Sequence, residues 1–83
     1  MNVSEALGVI ARHDGLVRFS KEPGEPPTCR VMLRLPWAPE DRVIAIQDVG
    51  DRDPQDALLA TVQEALGEVQ AGEARRGLRL VGT

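Results

Sequence analysis

The chain has 83 residues, of which 42% are hydrophobic and 28% charged. That is the balance of an ordinary soluble globular protein, at a length that gives one compact domain over residues 1–83. One Phe, one Trp and no Tyr exclude a site built on several stacked rings. One Cys and one His exclude an intramolecular disulfide and a His-rich metal cage, so no cofactor is expected. A formal charge of −3 argues against a whole-molecule field that would draw in nucleic acid or an anionic membrane.

No apolar run approaches the ~18–20 residues of a membrane span. The stretch from Met1 to Ala11 carries Glu5 and lacks the basic start of a signal peptide. A single thiol suits a reducing compartment, so a cytoplasmic protein without membrane contact is expected. A chain of this size buries only about 60–65% of the surface its unfolded form exposes. Binding through a surface, or as a weak homodimer, is then easier to build than an enclosed pocket.

Val3, Leu7, Ile10 and Ala11 recur at helical spacing, with Ser4 as a candidate N-cap, Glu5 in the first turn and Gly15 as a stop. A second reading stands beside it. Asp14-Gly15 is a hairpin signal, and Leu7–Arg12 could be a strand paired with Leu16–Lys21. Leu16–Lys21 reads as a short strand with Val17 and Phe19 on one face. Glu22-Pro23-Gly24-Glu25-Pro26-Pro27 is a solvated loop, because its prolines remove donors. Thr28–Leu35 carries the clearest pattern. Cys29, Val31, Leu33 and Leu35 alternate with Arg30, Met32 and Arg34, the period of a half-buried strand.

Pro36-Trp37-Ala38-Pro39 breaks that strand. Arg42–Val49 is a third, with Ile44 and Ile46 on one side and Val43, Ala45 and Gln47 on the other. Asp53 is a good N-cap and Pro54 suits the first helical position. Leu58, Val62, Ala65, Leu66 and Val69 then follow helical spacing, with Gly72 or Gly77 as the end. Leu78–Val81 could add a fourth, edge strand. The expected fold is α+β: helix, three-stranded antiparallel sheet, helix, with both helices on one sheet face.

The inward set Val17, Phe19, Cys29, Val31, Leu33 and Leu35 leaves Arg18, Arg30, Met32 and Arg34 outward, joined by Arg79 if the last strand forms. An acidic protein would thus present a cationic sheet face. It reads either as a docking surface for carboxylates or phosphates, or as a solvated face whose Arg residues blunt the sheet edge. Trp37, held between two prolines, is either an interface anchor or a cover over the end of the core. His13 beside Asp14 could be half of a dyad with Cys29 or a Ser as nucleophile, but nothing in the spacing supports it. Asp48, Asp51, Asp53 and Asp56 lack the calcium-loop pattern, and capping and solvation account for them.

The element order resembles that of double-stranded-RNA-binding domains, which implies a shared topology. In that family the RNA contacts come from a basic N-terminus of the last helix. Here that position reads Asp53-Pro54-Gln55-Asp56, the wrong sign for phosphate. The run from Ala45 to Leu58, a strand, a Gly-Asp turn and an acidic helix start followed by Ala-Leu, is similar to one in HicB-type antitoxin domains and small phage α-β-β-α sandwich proteins. That resemblance implies accessory proteins of mobile elements that occupy another protein's surface. The expectation is therefore a non-enzymatic protein-binding module of phage or plasmid type, inhibitory, anti-defence or antitoxin-like. Arg18, Arg30, Arg34 and Trp37 would bind an unidentified protein partner. The alternative is a nucleic-acid-binding domain using the same face.

Overall fold

The computed structural model describes residues 1–81, with side chains through Arg75. The chain runs α1 (Val3–Arg12), β1 (Leu16–Ser20), β2 (Thr28–Leu35), β3 (Ala38–Asp48) and α2 (Pro54–Val81). The strands form one antiparallel sheet in the order β1-β2-β3. This is the α+β fold the sequence leads one to expect, and its first element is a helix, not a strand.

Asn2 caps α1 in place of Ser4. Its Oδ1 accepts the Glu5 N–H at 2.8 Å, which satisfies a donor that the helix itself leaves open. The helix ends in a tight exit. Asp14 takes a left-handed conformation at φ 48°, which Asp tolerates better than most residues. The Gly15 N–H donates to the Ile10 carbonyl at 2.8 Å, and the Arg34 N–H to the His13 carbonyl at 3.0 Å. The turn thus lies against β2. A Cβ on Gly15 would stand 2.2 Å from the Met32 carbonyl oxygen, so only glycine fits.

The proline-rich loop contains an ordered turn. The Glu25 N–H donates to the Glu22 carbonyl at 3.1 Å, and Gly24 has φ 80°. Pro followed by a positive-φ Gly at the centre is the type II pattern. The Lys21 ammonium donates to the Glu22 and Glu25 carbonyls at 3.1 and 2.7 Å. Pro36 and Trp37 form the reversal between β2 and β3, so β3 begins at Ala38 instead of Arg42. Arg34 pairs with Arg42 while Leu35 pairs with Ala38, and the extra residues bulge from β3. Pro39 sits in that bulge, where its missing donor does no harm.

Asp53 caps α2 as expected, its Oδ1 accepting the Gln55 N–H at 2.8 Å. The helix then passes through Gly72 and Gly77 and runs to Val81. Leu78–Val81 is therefore helix and no fourth strand, and the Arg79 side chain lies outside the described residues. Ala71, Glu73, Ala74 and Arg75 are strong helix formers and carry the helix past the first of these glycines. Gly72 is buried for another reason: a Cβ there would lie 2.8 Å from the Trp37 ring.

Both helices lie on one side of the sheet. Cys29, Val31 and Leu33 of β2 and Ala45 of β3 are buried with Ala6, Val9 and Ile10 of α1 and Ala57, Val62, Ala65 and Val69 of α2. Phe19 points to the same side but stays 49% exposed. It lies in the short edge strand, and the helices do not cover it as the inward set assumed. Gly15→Ala should lower stability by about 1–3 kcal/mol through overpacking. Gly8→Ala, whose Cβ meets only the Arg12 side chain at 3.5 Å, should be neutral or slightly stabilising. Urea unfolding of the two variants checks this.

Candidate docking interface

The even-numbered residues of β2, and those of β3 from Arg42 on, point away from the helices. Strand register builds the open face in rows: Leu16, Met32 and Ile44 in one, Arg18, Arg30 and Ile46 in the next. Arg34 and Arg42 oppose each other at one end. At the other end Ser20 and Thr28 share a 3.2 Å hydroxyl hydrogen bond beside Asp48. Arg18, Arg30 and Arg34 therefore lie on the open side, and Arg42 joins them.

The sequence reading missed the apolar half of this face. Leu16, Ile44 and Ile46 are 46%, 51% and 50% exposed. The alternation of β3 separates the Ile pair from Val43, Ala45 and Gln47 without saying which set faces the core. Hydrophobicity alone would send the isoleucines inward. The structure turns the smaller, more polar set toward α2. Gln47 reaches the helix, donating from Nε2 to Glu64 Oε2 at 3.1 Å, while Arg52 donates to Gln47 Oε1 at 3.1 Å and to the Asp48 carbonyl.

The four arginines differ in setting. Arg34 Nε lies 3.4 Å from Asp14 Oδ2 without hydrogen-bond geometry, and a pair this exposed adds little stability. Among the described residues, Arg18, Arg30 and Arg42 have no carboxylate at ion-pair distance. Arg18 stands directly across from Arg30, and Arg34 from Arg42. Like charges in these positions are unfavourable. An anionic partner would relieve that repulsion.

Trp37 is not on this face. It lies over Gly72 of α2 on the helix side, with Leu35 and Val43 lining the same shallow hollow. It covers the end of the core and is separated from the arginines by the sheet. His13 and Asp14 border another open hollow with Arg34 and Pro39. Cys29 is fully buried five residues down β2 from Arg34, about 17 Å at the usual rise of a strand. A His13–Cys29 dyad does not form. No group of three or more His, Cys, Asp or Glu side chains converges among the described residues. No helix among them is long and apolar enough to cross a membrane.

No protein-family model matches the chain, and no curated protein or solved structure matches it. The two sides of the sheet predict opposite mutational costs. Leu33→Ala should cost about 2–5 kcal/mol. Ile44→Thr, on the open side of the paired strand, should stay within about 0.5 kcal/mol of wild type. Denaturant midpoints at equal slope make the comparison.

Proposed function

We propose that this protein is a non-enzymatic binding module whose open sheet face docks an acidic protein surface. The observation that carries the reading is Leu16, Ile44 and Ile46 lying exposed, with half-buried Met32 between Leu16 and Ile44, beside the ion-pair-free Arg18, Arg30 and Arg42, in a protein of net charge −3. Exposed aliphatics gain from contact with another apolar surface. Arg and Met are both enriched at protein interfaces. The guanidinium groups fit carboxylates on the rim of such a contact and set its orientation. A role as a phage- or plasmid-type accessory or inhibitory protein, one that acts by occupying its target, agrees with this chemistry.

Nucleic acid is the second reading, since the same three arginines could meet phosphates. Two features favour protein. The isoleucines gain nothing from a phosphate backbone. The face also carries no aromatic ring for bases to stack on: Trp37 lies against α2, and Phe19 points to the helix side.

The test is affinity capture with nuclease treatment, comparing wild type with Ile44→Asp and with Arg18→Glu/Arg30→Glu. Circular dichroism confirms that each variant is folded. A captured protein that survives nuclease, and is lost or reduced at least about tenfold in both variants, supports the docking face. Capture that is unchanged in both variants contradicts it. A nuclease-sensitive complex whose affinity falls steeply with salt would transfer the face to nucleic acid.

A further inference from the structure

The docking reading leaves the long free edge of β3 unused. β3 closes one side of the sheet and pairs only with β2. In an antiparallel ladder, successive residues direct their backbone N–H and C=O groups to alternate sides. The Val49 N–H donates to the Pro27 carbonyl, on the β2 side, at 2.8 Å. The odd-numbered residues of β3 thus face β2, and Arg42, Ile44, Ile46 and Asp48 turn their backbone groups outward. These four also expose their side chains on the open sheet face. Such an unpaired row is a template for another strand.

We propose that the occupant is β3 of a second copy of this chain, antiparallel about a two-fold axis at Ala45. A two-fold perpendicular to the sheet keeps both helix layers on one side, so even positions must meet even positions. Among those registers, centring on Ala45 sets Ile44 against Ile46 and Arg42 against Asp48, each twice. Centring on Ile44 instead sets Arg42 against Ile46 and leaves Glu40 facing Asp48. Among the described residues, neither Arg42 nor Asp48 has an ion-pair partner within its own chain. Arg34 across β2 gives Arg42 a like-charged neighbour, which a carboxylate from the second copy would offset.

The helix layer accommodates the pairing. α2 packs on both β2 and β3. With strands about 4.8 Å apart, two α2 helices seated over their own β2–β3 boundaries would lie about 10 Å from each other. That is an ordinary separation for packed helices. On the β3 side α2 presents two alanines and two carboxylates: the Ala60 carbonyl is 3.5 Å from Gln47 Nε2, the same nitrogen donates to Glu64 Oε2 at 3.1 Å, and Ala71 and Glu68 line a hollow with Val43. The dimer takes up Arg42 but leaves Arg18, Arg30 and the upper side of the apolar rows uncovered, and it joins the open faces into one six-stranded surface. It therefore stands whether or not the docking reading does. The contact is small, so a dissociation constant on the order of tens of micromolar is expected.

The test is sedimentation velocity of the full chain from about 5 µM to about 500 µM, a range that brackets such a constant. Wild type should shift from monomer to dimer. Arg42→Asp and Asp48→Arg, each folded by circular dichroism, should each weaken self-association about tenfold or more, because every dimer then holds two like-charged pairs. An equimolar mixture of the two variants should dimerise as wild type does, since each mixed pair regains two opposite-charge contacts. Wild type that stays monomeric overturns the proposal. So do single variants that associate like wild type, or a mixture that remains monomeric.

Discussion

The seating of α2 on β2 and β3 decides what this protein shows to its surroundings. The helix buries Ala57, Val62, Ala65 and Val69 against Val31, Leu33 and Ala45. Most of these are small or β-branched, so helix and sheet approach closely. Gly72 extends the same logic to the hairpin, where the Trp37 ring occupies the space a side chain would fill. Once this side is closed, the even positions of β2, and of β3 beyond its bulge, are committed to the other side. The arginines and isoleucines are neighbours there because they share a parity.

The middle strand was legible because its two parities differ sharply in chemistry. Cys29, Val31 and Leu33 can only be inside, and Arg30 and Arg34 can only be outside. β3 was not legible in the same way, because both of its parities contain aliphatic residues. What separates them is size and reach. Ala45 suits close contact with α2, and Gln47 is long enough to bond Glu64. Isoleucines at those positions would crowd the helix. The apolar part of the candidate face became visible only when register tied Ile44 to Met32 and Ile46 to Arg30.

The ends of elements show a similar division. The cap at Asp53 followed from local chemistry, because an N-cap needs only its own side chain and the next turn. Asn2 and Ser4 have comparable capping power, and because the helix begins at Val3 the cap is Asn2, whose Oδ1 accepts the Glu5 backbone N–H. Gly72 and Gly77 looked like helix stops, yet a glycine stops a helix only if the chain has a left-handed exit to take. Gly72 serves tertiary packing instead. Trp37 was open to two readings in the sequence, and the ring contact with α2 places it over the end of the core.

The open face depends on the alternation of β2, and the single thiol of the chain reports on it directly. Cys29 is fully buried, so in native protein it should react with a chromogenic disulfide reagent only as fast as the fold opens. In the variant Cys29→Ala/Arg30→Cys the thiol moves by one residue and should react at once, at the rate of unfolded chain. If Cys29 reacts in native buffer as quickly as in concentrated urea, or the relocated thiol is the protected one, the sheet is facing the other way and the open face described above does not exist.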